Sequence, residues 1–312
     1  EHHASTLREK AVAYINTDGN ARGFLSIGGS HSLEPLAAEV AHHVNDPITG
    51  VSVSDRLRSK LLVRGDADER KEYRTRKNIR ISALGSGSDY SAFLQHLGVA
   101  SYNISFRGEG IGGEYHTCFD TFDHYTKNID PGHGYGLALA KVCGRLTLRL
   151  ADADVLPFDF NVQAGTINRY IEEITKLTDT LREETEIKNR LIAEKRFQIA
   201  ADPKRKYVQP KAKKPVPHIN FAPLLNAGQQ LEAAAAAFHT ALVPIQSGER
   251  KLTPAQLAKL NQNIYQTERA LIHDGGLPRR PWFRHQIYAP GFYTGYGVKT
   301  LPGVREAIEN HD

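Results

Sequence analysis

Hydrophobic and polar positions follow different rhythms on either side of about residue 158. Upstream, short apolar runs alternate with helical repeats. The run AVAYINTD (11–18) is apolar and β-branched and ends in an acid, so it is expected to be a strand. SLEPLAAEVAHHV (32–44) has apolar positions at helical spacing behind a serine cap. NIRISAL (78–84) alternates as a strand does. SDYSAFLQHLG (88–98) is a short amphipathic helix with Ser88 as cap and Gly98 at its C′ position. VASYNISF (99–106) returns as a strand, and 130–152 is a further helix with Asp130 as cap and Pro131 in its first turn. Strand–helix–strand order predicts an α/β sheet with crossover helices. Three strands leave the faces of a sheet poorly covered, so this region reads as part of a larger domain.

Downstream the strand rhythm disappears. Residues 161–200 form one long helical stretch in which Ile167, Ile171, Ile174 and Leu177 recur at three- and four-residue steps. Residues 222–243 contain the run AAAAA, a strong helix former, and 253–273 opens with Thr253 as cap and Pro254 at the first turn. Three helices with apolar stripes predict a bundle. The expected organisation is therefore a partial α/β domain over 1–157 and an all-α helical-bundle domain over 158–312. The tail 276–303, dense in Pro, Gly and aromatics, is expected to be irregular and either functional or a packing strap.

Composition narrows the class. The chain has 312 residues, 40% apolar and 24% charged, as in soluble globular proteins. No apolar run reaches the ~18 residues that a membrane span requires, and no signal peptide is visible. The chain starts at Glu1 and contains no methionine, so it reads either as an excerpt of a longer sequence or as one whose methionines were lost in processing. Two cysteines, Cys118 and Cys143, do not make a disulfide framework. The net charge of +5 is partly local: KRKYVQPKAKK (204–214) has six Lys/Arg and no acid, bracketed by prolines. Without stacking aromatics beyond Tyr207 it reads as a solvated extended loop, and no nucleic-acid partner is expected.

Three features carry candidate chemistry. Asp18 lies at the carboxyl end of a predicted strand, where open α/β sheets bind ligands, and suits a hard metal; the segment Asp18-Gly19-Asn20 also reads as a plain turn. GSGSD (85–89) leads into a helix and either faces an anionic substrate group or is an ordinary loop. His116, within GGEYHTCFDTFDHY (112–125), is either a metal ligand or a polar loop residue.

Taken in order, VAYINTD, RISALGSGSDYSAFLQHLGVAS (80–101), EYHTCFDTFDHY (114–125), LADADVLPFDF (150–160) and LPRRPWFRHQIYAPGFYTGYGVKTLPG (277–303) resemble the glutamate carboxypeptidase II and transferrin receptor-like family of M28 di-zinc peptidases. The resemblance covers nearly the whole chain. It implies the later part of a peptidase domain plus most of a helical dimerisation domain, hence a homodimer acting on a peptide or N-acyl amino acid, with two zinc ions per site. It carries Asp18 and His116 onto ligands of different zinc ions and Tyr115 onto an oxyanion-stabilising tyrosine. Ser86, Gly87, Ser88 and Tyr296 fall on substrate-pocket positions. The family's bridging aspartate, second histidine and paired glutamates have no counterpart here; Glu172-Glu173 and Glu183-Glu184 fall on the long helix and do not replace them. Where the glutamate binders carry arginines, this sequence has Asn103 and Ser105, which argues against strict specificity for C-terminal glutamate. Arg107 is near but does not align, and His124 is expected to be structural. Relatives are often extracytoplasmic. The competing expectation is a non-catalytic, transferrin-receptor-like dimerisation or binding module.

Overall fold

The computed structural model describes residues 2–110 and 112–310. After a short helix, α1 (Ala4–Lys10), the chain forms β1 (Tyr14–Asn16), β2 (Gly23–Gly29) and β3 (Ser101–Gly108), a mixed sheet in the order β1-β3-β2. β1 pairs parallel with β3 in the register Asn16↔Asn103; β2 pairs antiparallel with it, Ser26 opposite Ser105. Period-two alternation splits β3 cleanly. Tyr102, Ile104 and Phe106 are buried in the core, while Asn103, Ser105 and Arg107 point to the other face.

The expected strand at 78–84 is corrected. It touches the sheet only at Ser82, which bridges to Gly28. Side chains take the backbone donors that a ladder would use: Ile81 N–H donates to the Glu34 carboxylate (3.0 Å) and Arg80 N–H to the Tyr73 hydroxyl (3.0 Å). The third strand is instead GFLSIGG, whose Gly28 lets the chain pass Leu84 so closely that a Cβ would lie 2.5 Å from that side chain.

Helix α2 (Glu34–His42) follows a single 3₁₀ turn over His31–Leu33. No side-chain cap closes either start, so the predicted serine cap is absent, and the Ser32 hydroxyl is buried. Two unforeseen helices cover the sheet edge. α3 (Val53–Arg64) is capped by Ser52, and α4 (Ala67–Thr75) by a reciprocal Asp66–Glu69 capping box. Residues Ser91–His96 form a π-helical turn ending at Gly98, whose φ of 70° suits the predicted C′ role. After the single-turn α5 (Phe122–His124) comes α6 (Gly134–Ala151). It starts later than expected: Pro131 lies outside it, and the Asp130 carboxylate reaches in to accept from Tyr135 N–H (3.2 Å) and Gly136 N–H (2.8 Å).

The predicted long helix is α7 (Phe160–Ala193), 34 residues, capped by Asp159 and followed by the single turn α8 (Arg196–Ile199). It packs along α9 (Ala222–Gln246). α10 (Pro254–Gln266) starts on the predicted Thr253 cap, completed by Gln256. The tail folds as a hairpin of β4 (Tyr288–Pro290) and β5 (Val298–Thr300), and then α11 (Pro302–Asn310). The architecture is thus a partial α/β unit followed by a helical region.

Both cores draw on residues from either side of position 157. One joins Leu33, Tyr102, Ile104, Val142 and Leu146 to Ile264; the other joins Leu84, Tyr90 and Leu94 to Ile171, Ile174 and Tyr288. A polar seam binds them. The Glu268 carboxylate, 2% exposed, accepts from Ser30 Oγ (2.9 Å) and Tyr288 OH (3.0 Å), lies 3.1 Å from His285 Nε2, and takes a longer bond from Gln163 (3.4 Å). Burial pushes this carboxyl up, but the hydrogen bonds from His285, Ser30 and Tyr288 and the charge of His285 outweigh burial, and its pKa lies below the ordinary glutamate value. Beside it His31 Nε2 meets the Tyr170 hydroxyl at 2.7 Å.

Candidate functional site

The GSGSD loop is held by close backbone contact with the tail. A Cβ on Gly85 would sit 1.8 Å from the Tyr296 carbonyl oxygen, and one on Gly87 (φ 98°) would sit 2.5 Å from the Tyr296 ring. Only glycine fits at these two positions. Ser86 N–H donates to the Tyr296 carbonyl (3.1 Å), and Tyr90 OH to the Ser86 carbonyl (3.1 Å). Gln95, fully buried, donates its amide to the carbonyls of Leu84 and Gly85. The predicted pocket residues Ser86, Gly87 and Tyr296 are therefore brought together, although Tyr296 lies about 210 residues further along the chain.

Asn16 ties in the rest. Its amide donates to Ser88 Oγ (2.9 Å) and to Asn103 Oδ1 (3.0 Å), and its own oxygen accepts from Tyr14 OH (3.0 Å). One buried asparagine thus fixes the loop against β1 and β3. Beyond the carboxyl end of β1 and alongside β3 opens a cleft of about 560 Å³, lined among others by Asp18, Asn20, Asn103, Ser105, Tyr115 and Tyr125.

Asp18 is exposed there and makes no hydrogen bond or ion pair among the described residues. Its charge reaches three phenols. Burial pushes Tyr90 up to about 12, with Asp18 adding to the rise; burial, Asp89 and Asp18 raise Tyr14. Partial desolvation, then the neighbouring Tyr296 phenol, then Asp18 raise Tyr115. A phenol is protonated at neutral pH in any case, so the rise leaves Tyr115 able to donate a hydrogen bond. Asp18, Tyr115 and Tyr296 share one neighbourhood.

His116 stands apart. It is exposed, adopts a left-handed backbone (φ 58°), and stacks its ring on that of Tyr115 at 3.7 Å, outside the residues that line the cleft. No group of three His, Cys, Asp or Glu side chains lies close enough to hold a metal among the described residues. The chain's own residues do not fit a complete zinc site, which needs three or four protein ligands. Arg107 and His124, set aside on sequence grounds, both line the cleft. Sequence reasoning also missed Asn16 and Gln95. Asn16 had a signal, a lone amide in the apolar run VAYIN; Gln95 had none. Glu172-Glu173 and Glu183-Glu184 lie on α7, away from the cleft residues.

Comparison with known proteins adds the family. Residues 219–312 match the transferrin receptor-like dimerisation domain. The chain resembles glutamate carboxypeptidases over nearly its whole length. It is 29% identical over 313 residues to a probable glutamate carboxypeptidase of Arabidopsis thaliana, covering 99% of this chain and 37% of the relative. A probable glutamate carboxypeptidase of Arthroderma benhamiae is 28% identical, covering 99% and 36%. The aminopeptidase NAALADL1 of Rattus norvegicus is 24% identical, covering 98% and 36%. The chain thus spans little more than a third of the length of these curated relatives. The dimerisation-domain match includes Tyr296, so the same segment packs against the GSGSD loop, while the cleft itself is lined by residues of 18–21 and 103–129.

Proposed function

We propose that this chain is part of a zinc-dependent exopeptidase of the M28 class. In this reading it supplies one wall of the substrate cleft, two metal ligands and the helices through which the protein forms a homodimer. The observation that carries the reading is that Tyr296 packs on Gly85 and Gly87 of the GSGSD loop and neighbours Tyr115, which shares a cleft with Asp18 beyond the carboxyl end of β1. Asp18 and His116 would each be a ligand of one of two zinc ions, with the remaining ligands and the general base supplied from outside the 312 residues; such a metal pair would supply an activated water and a polarised carbonyl. Tyr115 donates to the oxyanion of the tetrahedral intermediate, and Ser86, Gly87, Ser88, Asn103 and Tyr296 bind the substrate. With Asn103 and Ser105 where an arginine fork would read a carboxylate, the substrate is a peptide or N-acyl amino acid without a strict demand for C-terminal glutamate. The proposed compartment is extracytoplasmic, and the proposed boundary between the peptidase part and the helical part is at residue 157.

The test uses the longer protein that contains this chain. Tyr115→Phe is expected to lower kcat by about 10²–10³-fold, as loss of an oxyanion donor does, with little change in KM. His116→Ala is expected to abolish hydrolysis while the dimer persists. Unchanged turnover in either variant refutes the assignment. A second reading, a non-catalytic dimerisation module, is favoured by the exposed His116 and by the absence of a three-ligand metal group among the described residues. Zinc stoichiometry separates the two: about two ions per chain are expected for the peptidase.

A further inference from the structure

We propose that the basic segment following α7 is a docking surface for an anionic lipid bilayer. The charge of the molecule is concentrated here. Residues 179–218 hold eleven Lys/Arg and six Asp/Glu, an excess of five, which equals the +5 of the whole chain; the remaining residues balance to zero. Within the segment, Lys204, Arg205, Lys206, Lys211, Lys213 and Lys214 are all exposed. Among the described residues only Arg205 has an ionic partner, Asp202 at 3.6 Å. No acid follows Asp202 until Glu232. Five lysines therefore present full, uncompensated charge to solvent.

The segment is also held in place, so docking orders little new chain. Asn189 on α7 clamps Lys213 by a reciprocal pair, accepting from its N–H (3.0 Å) and donating to its carbonyl (2.7 Å). Val216 is buried, and Arg182 donates to the Pro217 carbonyl at 3.4 Å. Pro203, Pro210, Pro215 and Pro217 keep the backbone extended between these anchors. Residues 203–205 form a turn, and the nine residues 206–214 beyond it, at extended spacing, span about 28 Å, enough to lay the cations across several headgroups.

Two apolar side chains decide between polyanions. Ile199 is 72% exposed and Val208 76% exposed, and both sit within the basic stretch. A bilayer interface accepts such side chains while its phosphates take the lysines. A nucleic acid offers them nothing, and the aromatic that would stack on a base, Tyr207, is half-buried.

The experiment is vesicle cosedimentation of the longer protein that contains this chain. Binding is expected to vesicles with about 30% phosphatidylserine and not to vesicles of phosphatidylcholine alone, and is expected to fall as salt rises from about 0.05 to 0.3 M. Replacing the six Lys/Arg of 204–214 by Gln should weaken binding by at least about 100-fold. Ile199→Ser with Val208→Ser should weaken it by several-fold while leaving its salt dependence intact. Because the residues lie in an irregular exposed segment and a single helical turn, melting temperatures are expected to stay at the wild-type value. If the glutamine variant nevertheless misfolds, the lipid and salt dependence of the unmodified chain still decides. Equal binding to neutral vesicles, undiminished binding of a folded glutamine variant, or tighter binding to a single-stranded oligonucleotide than to anionic vesicles would overturn the proposal.

Discussion

Glu268 is the point at which the two halves of the chain are most tightly joined, and removing it tests that claim. Glu268→Ala leaves Ser30, His285 and Tyr288 buried without their shared acceptor. Ser30 and His285 are wholly buried and Tyr288 is 1% exposed, so water cannot replace the lost oxygen. Leaving three buried donors without their acceptor costs about 1–3 kcal/mol each, and about 3–5 kcal/mol together after relaxation. Glu268→Gln keeps the shape and one acceptor oxygen but loses the charge, for about 1.5–3 kcal/mol. Urea unfolding followed by the single Trp282, three residues from His285, reads the change locally. With a slope of about 3 kcal/mol per molar, the alanine variant should lose about 1–1.7 M in midpoint. The pH dependence gives an independent check. The folded carboxyl lies below its unfolded value of about 4.3, so its stabilisation is fully present above that value and is lost as pH falls through the folded pKa. Glu268→Gln should therefore be less pH-sensitive than the parent below about pH 5. A midpoint shift under about 0.3 M for Glu268→Ala, or an unchanged acid limb for Glu268→Gln, refutes the reasoning.

Two further outcomes follow from the geometry. Gly85→Ala drives a methyl group into the Tyr296 carbonyl and should destabilise by about 1–3 kcal/mol, whereas Gly165→Ala, which meets nothing within 4 Å, should be neutral or stabilising; equal melting temperatures for the two would show that the loop–tail contact is not tight. Arg56 donates to Asp46, Tyr135 and Glu109, and Asp46 is 2% exposed, so Arg56→Ala should lower stability by about 3–5 kcal/mol in chemical unfolding; a loss below about 1 kcal/mol would mean that Thr49, the Ile48 N–H and the Tyr135 hydroxyl suffice to hold Asp46.

What the sequence disclosed depended on how locally each feature is encoded. The helices α7, α9 and α10 were legible because their stripes are long and their caps, such as Thr253 with Gln256, lie within four residues. The α3 and α4 helices were missed although Ser52–Asp55 and Asp66–Glu69 spell out their caps: α4 buries only Tyr73, so its apolar period is faint. β2 was hidden by its glycines, whose purpose is visible only once Leu84 and Ser101 press against them. NIRISAL looked like a strand because Ile79 and Ile81 are core residues; the Glu34 carboxylate and Tyr73 hydroxyl that divert its backbone donors lie elsewhere in the chain. At the candidate site, chain order brought Asp18, Tyr115 and the GSGSD loop to attention. Gln95 acts through two carbonyls and Arg107 through its place on β3, and neither role is written in neighbouring residues.

The interlock of Gly85 and Gly87 with Tyr296 bears on how such proteins diverge. A recombinant that exchanged the segment 219–312 for that of a relative would import a new partner for the GSGSD loop along with new helices. The loop–tail fit and the helical surface would then be inherited together, and a folded chimera would need its GSGSD loop from the same donor as its tail.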